Sequence, residues 1–295
     1  MTRIFQSHLA MLGFSVLVAG SFSFGSIIAN DISPIALTAV RFILAAVVIG
    51  IITIATGSVT QAALKSPWRY LILGGVFSVY FVLMFEGLKT ATPVSTVAIF
   101  TLIPAVSAIA GFVILGQIVS FRIVAALIIG ALGALWVIFR GDIYALSTLS
   151  IGRGELVYFV GCIAHALMPI LFRLLSRGEN PLMVTFGLLT SGAMMLCVFG
   201  AREIIETEWI SLPMIVWVAI FYLSICASAV TFVLLQFASM HLPATNVMAY
   251  TYLTPIWVLV WELLLGHDVP NLWVLGGVFL AVLSLMLLLR TSLEG

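Results

Sequence analysis

Roughly ten apolar stretches, each close to the ~20 residues that a helix needs to cross a bilayer, follow one another along this chain with only short polar punctuation between them. They read as spans over 8–29, 33–55, 68–88, 92–115, 120–139, 154–175, 181–200, 213–238, 243–265 and 270–289. In hydrocarbon every backbone N–H and C=O must be satisfied within the segment, so runs of this length are predicted to be helices. A soluble alternative fails on composition, because 63% of the residues are hydrophobic and 8% charged, against about 25% charged in a typical soluble domain. The expected fold class is therefore an all-α integral membrane protein of ten transmembrane helices.

The punctuation fits this division: Asn30-Asp31 with Pro34, Ser66-Pro67, Asn180-Pro181, Leu212-Pro213 and Val269-Pro270 separate the runs. Arg3 followed by the run from Leu9 has the outline of a signal peptide, but the run continues to Ala29 without a clear cleavage signal and reads as the first span. Loops on one side collect Arg3, Lys65, Arg69, Arg122, Arg173, Arg177 and Arg290, and those on the other side Lys89, Arg140, Arg153 and Arg202. Positive residues are retained in the cytoplasm, so both termini are expected there, as in a bacterial-type inner (plasma) membrane. The net charge of +1 and the lack of a basic run provide no footprint for nucleic acid. Cys162, Cys197 and Cys226 all fall inside apolar runs, where they pack as small hydrophobes.

The chain repeats. Gly87 precedes Pro104 by 17 residues, and Ala238 precedes Pro255 by 17. Each proline is followed by an apolar run, a short turn at Gly116-Gln117 or Gly266-His267, and a closing apolar helix. Two repeats, 1–145 and 146–295, with five helices each, must enter the membrane from opposite sides. That is an inverted-topology repeat, a layout in which secondary transporters place the substrate between the halves.

Pro34 followed by Arg41, Glu86-Gly87-Leu88, Leu102-Ile103-Pro104 and Leu253-Thr254-Pro255 together resemble the EamA type of the drug/metabolite transporter superfamily, ten-helix carriers that include amino-acid and metabolite exporters. Gln117 and His267 stand where that family usually shows glutamate. The resemblance implies a proton-linked or facilitative carrier of small organic metabolites.

The residues that a purely structural span does not need are the candidates for transport. Span nine carries Tyr250, Trp257, Trp261 and Glu262 around Pro255, whereas its partner around Pro104 is plain, with Gly111 opposite Glu262. An anionic group beside aromatic faces suits an ammonium. Arg41 lies too deep for easy snorkelling and needs an acidic partner, backbone carbonyls or water; scaffold pairing and substrate contact both fit. Glu86 pairs with Lys89 on a helix surface or acts as a coupling carboxylate, and Arg41 and Glu86 fall in the same outer half as possible partners. His165, with Tyr158, Cys162 and Pro169 on its face, is an interhelical hydrogen bonder or a proton carrier. Tyr80 adds a candidate cavity face, for which core packing is the plainer account.

The leading expectation is a secondary transporter of amino acids, aromatic ones among them, or related metabolites. It would work by alternating access through a central cavity, with Pro104, Pro255 and Pro169 as hinges. A carrier of quaternary ammonium or other organic cations, built on the two glutamates and coupled to or exchanging with protons, is the alternative. A membrane scaffold or lipid-modifying enzyme is the reading from another class. No nucleophile trio, nucleotide loop or metal-ligand spacing occurs, and the four histidines are scattered, so no enzyme activity, cofactor or metal is expected. One chain already completes the paired bundle and is expected to act as a monomer in lipid.

Overall fold

The computed structural model describes residues 3–58, 65–116, 120–139, 144, 151–267 and 272–291. Gln117, Arg140 and the Val269-Pro270 punctuation lie outside them. Every element among these residues is helical: α1 (Arg3–Ile28), α2 (Pro34–Ala55), α3 (Trp68–Leu88), α4 (Pro93–Phe100), α5 (Ile103–Leu115), α6 (Phe121–Ile138), α7 (Arg153–Leu175), α8 (Pro181–Phe199), α9 (Ala201–Glu206), α10 (Met214–Ser224), a π-helical turn (Ile225–Val230), α11 (Thr231–Ser239), α12 (Ala244–Ala249), a 3₁₀ turn (Tyr250–Leu253), α13 (Thr254–Leu264) and α14 (Val274–Thr291). Among them 8 helices are long and apolar enough to cross a membrane, and Phe121–Val137 and Val274–Leu288 are shorter apolar helices. Against the expectation of roughly ten spans, eight such candidates stand among the described residues, and α6 and α14, of 18 residues each, occupy the places of the fifth and tenth.

Local chemistry sets the boundaries. Thr92, Ser120 and Asn180 accept a hydrogen bond from a backbone N–H in the first turn of α4, α6 and α8, satisfying a donor that the helix leaves unpaired. Gly116 closes α5 at φ 62°, a left-handed conformation that glycine adopts without a Cβ clash.

The fourth and ninth spans are both broken before their prolines, at Thr101-Leu102 and across the 3₁₀ turn Tyr250–Leu253. Pro104 and Pro255 then sit in the first turn of α5 and α13, where a missing N–H forfeits no helical bond. Each proline thus starts a half-helix. Pro169, by contrast, lies within the unbroken α7. A third irregularity, the π-helical turn, divides the eighth span.

Contacts between the two parts of the chain are reciprocal. The third span packs along the sixth (α3 on α7), and the first along the eighth and ninth (α1 on α11 and α13). The second packs on the seventh (α2 on α8), and the fifth on the tenth (α6 on α14). Glycines permit the closest approaches. A Cβ on Gly154 would come 2.5 Å from the Gly87 carbonyl, and one on Gly133 2.7 Å from the Gly277 carbonyl. The main core, holding Phe22, Phe42, Phe77, Phe85, Phe100 and Tyr158, fills the space that these helices enclose.

Candidate functional site

Where α1, α3, α4, α7, the π turn and α11 converge, the side chains leave a cavity. Phe14, Phe77, Tyr80, Phe81, Phe100 and Phe232 line it together with His165, Thr231 and Ser21. The cavity volume is about 10 Å³, room for roughly one water molecule. No lining residue is acidic.

His165 is the most polar group of this wall. Its ring centroid stands 4.4 Å from Tyr80 and 5.5 Å from both Phe77 and Phe100. Neither ring nitrogen has a hydrogen-bond partner, although the side chain is buried. A buried donor or acceptor left unpaired carries a desolvation penalty of about 1–3 kcal/mol, and a polar ligand in the cavity would relieve it. The Tyr80 hydroxyl lies 3.2 Å from that of Tyr158, so the aromatic wall continues into a second polar pair. Phe77 and Phe232 stack at 4.4 Å on the other side.

Arg41 stands behind this wall, fully buried. Its guanidinium carbon lies 3.8 Å from the centre of the Phe81 ring, a cation–π contact. Nη2 donates to the Ala227 carbonyl at 2.6 Å, and Nε donates to the Ser228 hydroxyl. Both acceptors belong to the π-helical turn. The Ser228 hydroxyl donates in turn to the Leu223 carbonyl at 2.8 Å, five residues back. Nη1 has no partner. The suggested pairing of Arg41 with Glu86 does not form, because Glu86 is held by Lys89 at 2.7 Å with 44% of its side chain exposed. Backbone carbonyl and hydroxyl, with an aromatic face, take the place of the acid.

The decorations of span nine do not gather into one box. The Tyr250 hydroxyl lies 2.9 Å from His8 Nδ1, near the start of α1. Trp261 packs against Phe24 and Tyr222 at 5.5 and 5.7 Å, toward the opposite end. Glu262 is buried, with Oε2 2.8 Å from His267 Nδ1 and Oε1 unpaired. Trp257 is half-buried with its indole N–H unpartnered. None of the four lines the central cavity; Tyr80 and His165 do. Phe81, Phe232 and Ser228 were not singled out from the sequence. The run of small residues Cys226 to Ala229 inside an apolar span was the available signal for the π turn.

The EamA-like transporter family matches residues 6–139 and again 152–290. Over 274 residues the chain is 28% identical to the uncharacterized transporter YyaM of Bacillus subtilis (strain 168), an alignment covering 92% of this chain and 90% of the relative. A solved structure described as the crystal structure of a protein superposes with a TM-score of 0.72 at 18% identity, covering 98% of this chain and 99% of the other. At that identity the likeness concerns the fold.

Proposed function

The chain belongs to the EamA-like transporter family, and from that premise we propose that it is a secondary carrier of small organic metabolites that present an apolar or aromatic group beside a polar head, amino acids above all. The observation that carries this reading is His165, buried in an aromatic wall with both ring nitrogens unpartnered. A flat apolar side chain would stack on Tyr80 and Phe77, while the polar head bonds to His165 and to the Tyr80–Tyr158 hydroxyls. The cavity in this conformation is too small for such a solute, so entry requires the helices to part on one side, as alternating access demands. The two halves, 1–145 and 146–295, would rock as inverted repeats about the breaks at Pro104 and Pro255, with both termini cytoplasmic, in an inner membrane, as a monomer. Protons are the candidate coupling ion. An organic-cation carrier would want a carboxylate in the cavity, and Glu86 and Glu262 stand away from it.

Purified protein in liposomes, loaded with unlabelled and assayed with labelled aromatic amino acids, tests the reading. His165→Gln and Tyr80→Ala are each expected to slow exchange about tenfold, the effect of roughly 1.4 kcal/mol of lost binding. Wild-type exchange no faster than in protein-free liposomes would sink the carrier reading. Normal exchange in both variants would sink the site.

A further inference from the structure

Away from the cavity, the two halves of the chain meet in a second polar assembly at the face where α1 begins. Arg69, the second residue of α3, extends Nη2 to Oε1 of Glu179 at 2.5 Å, with 2% and 4% of the two side chains exposed. Arg69 Nη1 donates to the Leu175 carbonyl at 2.5 Å, the last residue of α7, and Nε to the Ser66 carbonyl at 3.3 Å. From the other half, the Arg177 N–H donates to Oε2 of Glu179 at 2.6 Å, and Arg177 Nη1 donates to the Ser66 hydroxyl at 3.1 Å. Residues 66–69 and 175–179 are thus tied by charge in both directions.

The same two helices meet very differently at their other end. There Gly87 and Gly154 bring backbone onto backbone, with a Cβ on Gly87 only 2.8 Å from the Gly154 carbonyl. Arg69 and Gly87 are separated along α3 by about 27 Å at 1.5 Å per residue. One end is therefore a steric contact that resists sliding, and the other is a polar contact that water can replace. On the opposite face of the cavity Phe24, Tyr222 and Trp261 cluster with centroids 4.7 to 5.7 Å apart, the Tyr222 hydroxyl donates to the Leu17 carbonyl at 2.9 Å, and the Ser95 hydroxyl donates to Glu155 Oε1 at 2.7 Å.

A buried ion pair adds little net stability, because desolvation offsets most of the attraction. Both charges regain water when the helices part. The closed and open arrangements are then close in free energy, which a reversible gate requires and a static scaffold does not. Resting on the carrier reading, we infer that the Arg69–Glu179 pair is the latch that holds the cavity closed toward the face where the chain begins, with α3 swinging from α7 about the Gly87–Gly154 contact. The aromatic cluster closes the other face without using the Arg69–Glu179 charges.

Hydrogen exchange of the full-length protein in lipid nanodiscs, followed by mass spectrometry, reads the latch without any substrate. Arg69→Gln and Glu179→Gln are each expected to speed exchange about tenfold in peptides over 66–75 and 170–180, with peptides around Phe24 and Trp261 unchanged. Arg69→Lys keeps the charge and is expected to exchange more slowly than Arg69→Gln. The double reversal Arg69→Glu with Glu179→Arg should return toward the wild-type rate. Unchanged local exchange in the single variants overturns the latch. So does acceleration spread evenly over the whole chain, or a double reversal as fast as the singles. Because the exchange measurement needs no solute, a latch that behaves as described in a protein that moves nothing would count against the carrier reading alone.

Discussion

At the scale of single residues, charge inside the apolar bundle is settled by polar groups and rings in place of acids. Arg41 shows this most clearly, held by the Ala227 carbonyl, the Ser228 hydroxyl and the Phe81 ring. A lysine would keep the charge and lose the fork geometry that reaches two acceptors. Arg41→Lys is therefore expected to lower stability by about 1.5–3 kcal/mol, the scale of hydrogen bonds to a charged group, measured as thermal unfolding in detergent; an unchanged midpoint would show that the π turn does not depend on the guanidinium. The need of Arg41 for a partner was legible in the sequence because an ionised group at that depth is costly anywhere. The partner's identity was not, because Ala227 and Ser228 lie 186 and 187 residues away and present a carbonyl, which every residue owns, and a hydroxyl among many. The decorations of span nine stand away from that cavity for a related reason. Tyr250, Trp257, Trp261 and Glu262 stand out by residue type, but the cavity wall is chosen by which helices cross at the centre, and there Tyr80 and His165 face each other.

At the scale of elements, the half-helices and the glycine contacts decide what can move. The two proline breaks were marked in the sequence by their matched spacing, since a proline is accommodated most readily in the first turn of a helix, whereas the unmatched Pro169 stays inside α7. The π turn had no comparably sharp mark. The close contact of α3 and α7 gives a direct test of packing. Gly154→Ala would put its methyl 2.5 Å from the Gly87 carbonyl and from the Thr90 hydroxyl, and such overpacking costs about 1–3 kcal/mol. The expected result is a lower unfolding midpoint together with slower solute exchange. A variant as stable and as active as wild type would mean that the two helices are free to separate along their whole length.

At the scale of the whole molecule, the ion pair between the halves makes stability depend on acidity. Burial pushes the Glu179 carboxyl up, but its hydrogen bond from Arg69 and the Arg177 N–H bring it below the usual carboxylate range. A carboxylate depressed in the folded state stabilises the fold above its unfolded pKa of about 4.3, and that contribution fades as pH falls through the folded value. Acid should therefore lower the unfolding midpoint of the wild type more than that of Glu179→Gln, and equal slopes would remove Glu179 from the account. The general architecture was visible in advance because bilayer thickness imposes a length on every run, whereas reciprocal helix pairing is a long-range property. The pairing of α6 with α14 carries a consequence in time. The Ser284 hydroxyl donates to the Ala126 carbonyl at 2.5 Å across 158 residues of sequence, and Trp136 Nε1 donates to the Trp273 carbonyl at 2.7 Å. At about 5–20 residues per second, a ribosome would need roughly 8–30 s to deliver the second helix after the first. Throughout that interval α6 must wait beside the insertion machinery with its future interface covered by lipid or by a chaperone, and a pause in synthesis would prolong its exposure.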